Sequence, residues 1–230
     1  MAQPEKNSSA DGRDTSDRLL DATEALFAAG GSDGISVRAV TTEANANLAA
    51  VGYHFGSKDA LIQAAITRRF IWLNERRMKR LDELEVEAAP ELPPLESVID
   101  VFLLPVLNAF PDQPERSAHL RAFFSRVFSE SPEFQKSIRI SGLQKTADRF
   151  SVLISAILSE LPMEEIYWRI HFSAGPMLST LLHGHRLRVL SHGQCDPDDV
   201  EGAITRLRSF ICAGLRAPAG QSEPVSSPTE

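Results

Sequence analysis

From Asp14 to about Leu215 the apolar residues recur three and four positions apart, and no stretch alternates with period two long enough to form a strand. That spacing restricts the fold to helices packed on helices. One run is longer than the others. Leu61, Ile62, Ala65, Ile66, Phe70, Leu73, Leu81 and Leu84 keep one core-facing seam to about Glu85, a helix of about 28 residues and ~40 Å. The expected fold class is all-α: a three-helix head, a long connecting helix and a five-helix body.

The head begins with a helix from about Asp14 to Ala29, whose stripe of Leu19, Leu20, Ala22, Thr23, Leu26 and Phe27 faces the core. "GGSDG" (30–34) ends it with glycines able to take positive φ. Ser36 caps a short second helix with Val37, Val40 and Ala44 inward. Asn45 breaks that helix, and its tolerance of left-handed backbone fits a tight turn. Asn47 caps a third helix, about Leu48 to His54, stopped by Gly56; Ser57 opens the long fourth. After the break "EAAPELPP" (87–94), body helices are expected near 95–110, 115–129, 132–160, 163–191 and 197–214. Domain bounds follow: an arm at 1–13, the head at 14–73, the body at 74–215 and a Pro/Ser-rich tail at 216–230, both ends disordered.

No apolar run approaches the ~20 residues that span a bilayer. The polar start, with no apolar run behind a basic one, leads us to expect no secretion signal. Cys195 and Cys212 have no CxxC spacing, so a reduced cytoplasmic setting without a disulfide is expected. A formal charge of −7 argues against binding nucleic acid through bulk charge.

The stretch "ANANLAAVGYHFGSK" (44–58) raises a sharper question, because its third helix has little apolar material to bury. Two short helices joined by "ANA" have the size of a helix-turn-helix. Small Ala49, Ala50 and Gly52 would let the backbone approach a major groove, while Tyr53 and His54 supply donors for flanking phosphates. Lys58 adds a charge-assisted phosphate contact, and Arg38 can extend to a guanine edge or a phosphate. The other reading is packing and capping in an all-α lipid- or drug-binding protein whose head docks a protein. Residues 1–56 carry a net charge of −4, which favours that alternative. Spacing alone leaves both open.

Residues 17–70, "DRLLDATEALFAAGGSDGISVRAVTTEANANLAAVGYHFGSKDALIQAAITRRF", resemble the N-terminal domain of the TetR family of transcriptional regulators. The likeness rests on "LLDATEALFAAGG", "ISVRAV" and "VGYHFGSKDALI" at fixed spacing. It implies a homodimeric one-component DNA-binding repressor, released from a palindromic double-stranded operator by a small effector. By position, Arg38 matches a base-reaching site, Leu48, Ala49 and Gly52 match groove-facing sites, and Tyr53, His54 and Lys58 match backbone contacts. Ser36 and Asn47, at the two helix starts, complete the DNA-facing set. Asn45 replaces the usual Gly, and Gly52 stands where an aromatic or polar contact is common, so reading there would be weak or fall to DNA shape.

In the body, Phe102, Phe123, Phe124, Phe128, Phe150, Trp168, His171, Phe172 and Met177 are candidates to line an apolar effector cavity, although such spacing also makes ordinary core. "SELPMEEIYWRIHFSAGPMLSTLLHGHRL" (159–187) loosely resembles fatty-acid-responsive TetR-type sensors, implying a fatty acid or acyl-CoA. Leu178, Leu181, Leu182, Leu187 and Leu190 with Ile204, Leu207, Phe210 and Ile211 are the expected dimer seam, and Pro176 is expected to bend its first helix. His183 and His185 are two apart and point away from each other, so no metal is expected. Arg186 and Arg188 either pair with acids or cradle a CoA phosphate. No GxSxG elbow or Cys–His pairing is present, so no enzyme activity and no cofactor are expected.

Overall fold

The computed structural model describes residues 14–137 and 143–219. These hold ten helices and no strand: α1 (Thr15–Gly30), α2 (Val37–Glu43), α3 (Ala49–Phe55), α4 (Lys58–Ala88), α5 (Leu95–Leu107), α6 (Pro114–Ser129), α7 (Pro132–Ser137), α8 (Leu143–Ile157), α9 (Met163–Leu190) and α10 (Val200–Arg216). They form two compact units, one within Met1–Arg76 and Pro105–Leu143, the other within Arg77–Leu104 and Gln144–Glu230. Among the described residues no helix is long and apolar enough to cross a membrane. The arm expected at 1–13 lies outside the described residues.

The first unit is built on α1, which buries Leu19, Ala22 and Phe27. Its end is set by Gly31 at φ 70°, whose N–H donates to the Phe27 carbonyl at 2.8 Å. The unit is more than the three helices and long helix expected of a head, because α6 packs along α1. The Phe27 ring lies 5.5 Å from Phe123, and Phe70 lies 5.7 Å from Phe124. Glu130, just past α6, accepts from the Ser32 N–H at 2.8 Å and the Ser32 hydroxyl at 2.9 Å. The turn after α1 is therefore fastened at its far end.

Two polar devices complete this unit. Glu24 of α1 is buried and faces two arginines of α4: Arg68 Nη2 donates to it at 2.6 Å, and Arg69 holds its other oxygen through Nε and Nη2. Arg68 also reaches Asp21 at 2.6 Å and Asp17 at 3.8 Å. Burial raises the Glu24 carboxyl above its ordinary range while both arginines oppose the rise. Its titration therefore favours the fold below the ordinary carboxylate pKa and loses that share as pH climbs through the raised one. The second device is Arg18, whose Nη1 donates at 3.1 Å to both the Ala44 and Asn45 carbonyls while Nη2 donates to Thr15 Oγ1. Asn45 sits at φ 46°, the left-handed conformation the turn requires.

The second unit packs Leu95, Val98, Ile99 and Leu103 with Leu153, Ile154, Ile166, Ile211 and Leu215 in its core. Ion pairs tie α5 to α10, Arg208 to Asp100 at 2.7 Å and Arg216 to Glu96 at 2.6 Å. Arg149 of α8 pairs with Glu85 and with Asp82 at 3.2 Å. Arg169, buried in α9, gathers the carbonyls of Leu215, Ala217 and Pro218 at 2.8, 2.5 and 3.0 Å. The chain after α10 is thus fixed through Pro218, beyond the expected start of the tail at 216. Residues 220–230 lie outside the described residues.

Several bounds differ from expectation. α4 runs three residues past Glu85. The stretch expected as one helix at 132–160 contains α7 and α8, with 138–142 outside the described residues. α10 starts at Val200, because the Asp199 carboxylate accepts from the Gly202 N–H at 2.9 Å and caps it there. α9 keeps helical backbone at Pro176 and breaks at His183 instead, where φ is −125° and ψ 18°.

Two outcomes follow from the polar devices of the first unit. Glu24→Ala should cost roughly 1.5–3 kcal/mol in urea unfolding, more than either Arg68→Ala or Arg69→Ala, because each arginine deletion leaves Glu24 one partner. A loss below ~0.5 kcal/mol would show that the cluster adds nothing. Arg18→Met should speed amide exchange in the turn and α3 by about tenfold or more, two carbonyl bonds to a charged donor being lost; unchanged exchange would mean Asn45 and Asn47 hold the turn by themselves.

Candidate nucleic-acid interface

α3 has seven residues and buries one of them, Val51, at 2% exposure. A helix this short cannot hold its place by apolar burial, and polar bonds at both ends supply the rest. At its start the Asn47 side-chain oxygen accepts from the Ala49 N–H at 2.9 Å. At its end Gly56 takes φ 80° and donates to the Gly52 carbonyl at 3.1 Å. Ser57 then caps α4, its hydroxyl oxygen accepting from the Ala60 N–H at 3.1 Å. On α2 the Ser36 hydroxyl oxygen accepts from the Ala39 N–H at 3.1 Å. Ser36 and Asn47 therefore work as caps, each at the start of a helix.

The outer side of α3 is left to solvent. Leu48 is 59% exposed and Tyr53 86%, and Ala49, Gly52 and His54 are exposed too. A methyl built at Gly52 would meet nothing within 4 Å, so the surface there is open. The Tyr53 and His54 rings stand edge to face at 4.9 Å, which orients the hydroxyl and the imidazole together. Arg38, on the exposed side of α2, has no carboxylate partner among the described residues. Lys58 is half-buried, and its ammonium lies 3.4 Å from the Ile35 carbonyl, a long contact that leaves donors for another acceptor. All nine expected residues thus lie at the cap before α2, on α2, on α3, in the turn between them or at the start of α4.

The charge balance of this region is also clearer in three dimensions. Asp17, Asp21 and Glu24, three of the eight acids before Gly56, are answered by Arg68, with Arg69 also on Glu24. Their field is therefore largely cancelled within the unit. Sequence reasoning missed Arg18, whose partners lie 26 and 27 positions away. Nothing in local spacing points to it.

The body residues separate into groups. Phe123 and Phe124 are wholly buried in the first unit with Phe27 and Phe70, and Phe128 meets Phe70 edge-on at 6.3 Å. Phe102 and Phe150 pair edge-on at 6.1 Å in the second unit. Met177 is buried there, whereas Trp168 and Phe172 are 52% and 60% exposed and stack at 5.5 Å on the outside of α9 beside His171. Of the expected seam, Ile204, Leu207 and Ile211 are buried within the protomer. Leu187, Leu190 and Phe210 of that seam are exposed, as are Met163, Tyr167, Trp168, Phe172 and Val189 of α9. Arg188 pairs with Asp196 at 2.8 Å and Asp198 at 2.9 Å, so it is committed within the protomer.

Residues 19–65 match the family described as bacterial regulatory proteins, tetR family, and residues 100–214 match the tetracyclin repressor-like C-terminal domain. Comparison with curated protein sequences gives no match. Among solved structures, a candidate tetR family transcription regulator from Shewanella sp. PV-4 is 18% identical, covers 88% of this chain and 96% of its own, and has a TM-score of 0.58. A TetR-like transcriptional regulator from Rhodococcus sp. RHA1 is 20% identical over 87% of this chain and 95% of its own, at a TM-score of 0.53. GusR from Salmonella enterica is 15% identical over 92% of this chain and its whole own length, at 0.56. At such identities the likeness to these structures is one of fold. The two family matches, in order along the chain and joined to this helix-turn-helix, place it: the protein belongs to the TetR family of bacterial transcription regulators.

Proposed function

We propose that this regulator is a homodimeric repressor that binds a palindromic operator through α3 and leaves it when a small apolar effector binds. The observation that carries this reading is the bare outer side of α3, small at Ala49 and Gly52 and flanked by the donors of Arg38, Tyr53 and His54, which have no hydrogen-bond partner among the described residues. An exposed large aromatic on a short polar-capped helix has no structural use there, whereas a hydroxyl beside a groove can hold a phosphate. Lys58 adds a cation at the same edge. Members of the family are transcription regulators, and enzyme chemistry has no part in this account.

The dimer face is read from the exposed side of α9 and α10. A groove of ≈ 710 Å³ runs between them, lined by Thr180, His183, Leu187, Leu190, Leu207 and Phe210. Phe210 is 67% exposed, an apolar surface that a second copy would cover. Reading a palindrome requires the recognition helices of a dimer to lie one DNA turn apart, ~34–36 Å.

A fatty acid or acyl-CoA is the effector class favoured by the loose likeness of 159–187 to fatty-acid-responsive sensors. Release requires that the effector bind the DNA-incompetent state more tightly. A ten- to hundredfold difference corresponds to ~1.4–2.7 kcal/mol of coupling, and equal affinity for both states would switch nothing.

The rival, a head that docks a protein, drew support from the acids of residues 1–56, several of which are now seen paired with α4 arginines. Salt separates the two readings: operator affinity should fall steeply from 50 to 200 mM salt, with the slope shallower by about one in Lys58→Ala. In gel shifts Tyr53→Ala and Lys58→Ala should each weaken operator binding about tenfold and leave dimerisation intact. A shift unchanged by both substitutions removes the assignment of α3. Phe210→Glu should turn the dimer into monomers in sedimentation while helicity by circular dichroism stays the same; a persistent dimer would place the seam elsewhere.

A further inference from the structure

Arg77 is a buried cation of the second unit, carried on α4 at 7% exposure. Among the described residues no carboxylate pairs with it. Its Nη2 donates to the Phe102 carbonyl of α5 at 2.7 Å, and the guanidinium carbon lies 4.9 Å from the centre of the Phe102 ring. The Nε–H is buried and has no acceptor among the described residues. Loss of water alone pulls the guanidinium down to about 10, the mark of a buried cation that gained no anion in exchange. The contrast with its counterpart is direct. Arg169, also buried, has the Glu165 carboxylate at 3.1 Å besides three carbonyls. Half-buried Arg149 and Arg208 have Glu85 and Asp100.

A buried ion left without a counter-ion is costly, and replacing it with an apolar group of similar size is commonly neutral or stabilising. Arg77 is thus a poor choice for the apo fold by itself. Its Nε and Nη2 edge is the fork that matches a carboxylate with two parallel bonds, and one tooth of that fork is empty. The neighbouring surface is aromatic, since Phe102 lies against Arg77 and meets Phe150 edge-on at 6.1 Å. Charge and apolar surface side by side suit an amphiphile with one acidic end.

We propose that Arg77 is the anchor for the carboxylate of a free long-chain fatty acid, whose chain enters beside Phe102 and Phe150. This rests on the reading of the effector as an acyl compound and narrows it, because a thioester offers no negative charge to pair with the guanidinium. On binding, the carboxylate takes the open Nε–H and shares or replaces the Phe102 carbonyl at Nη2. Arg77 belongs to α4, the helix that begins at Lys58, so occupancy acts on an element that carries a DNA-facing group.

The test titrates the full-length protein by calorimetry with dodecanoate and with dodecanol, the same chain without the charge, both below micelle-forming concentrations. Wild type should prefer the acid by ~30-fold or more. Arg77→Met should bind acid and alcohol alike, Arg77→Lys should keep part of the preference, and ligand-free Arg77→Met should melt at the wild-type temperature or above. Equal binding of acid and alcohol by wild type overturns the anchor and leaves an apolar effector standing. So does a preference that survives in Arg77→Met, or a ligand-free Arg77→Met that melts far below wild type. If wild type binds neither probe, the acyl-effector reading itself fails and the anchor falls with it.

Discussion

A seven-residue helix that buries one side chain can present a bare surface only if something else holds it still. In this protein that task falls to polar bonds: the Asn47 cap at one end, Gly56 and the Ser57 cap at the other, and the Arg18 guanidinium across the turn before it. Each satisfies backbone groups that a short helix leaves open. Because apolar burial is confined to Val51, the outer residues are free to be small, and under the proposed function their smallness would permit close approach of a backbone to DNA. That proposal depends on the turn being rigid more than on any single exposed side chain.

The same logic extends to charge. A DNA-facing head with a net of −4 in its first 56 residues looks self-defeating until the carboxylates are located. Asp17, Asp21 and Glu24 lie on α1, against the arginines of α4, where they knit the two helices together. The cations near the proposed groove contact, Arg38 and Lys58, have no acidic partner of this kind among the described residues. Net charge averaged over a segment says little about the field at one face. Arg77 shows the converse case in the second unit, a cation that no anion among the described residues answers.

Much of this was legible in the sequence, and the gaps have physical causes. The helix periods of the head and the left-handed turn at Asn45 could be read because each is a local property of a few adjacent residues. Arg18 could not, since its carbonyl partners come from 26 positions away. Which part of the expected α10 seam faces outward could not be read, because Ile204, Leu207 and Ile211 share one stripe with Phe210 beside it, and periodicity does not say which of them meets the protomer. α9 shows the limit of rules of thumb: Pro176 is accommodated within the helix, and the break falls at His183. The aromatic candidates for an effector site were the least legible, since burial of Phe123 and Phe124 against α1 and exposure of Trp168 and Phe172 both obey the same helical spacing.

The central claim is that the outer side of α3 meets DNA. Hydrogen–deuterium exchange of the full-length protein, with and without a duplex selected from random sequence, addresses it most directly. Slowed exchange concentrated between Asn47 and Lys58, with α10 unaffected, is the expected result. Exchange in that segment left unchanged by a tightly bound duplex would contradict the account.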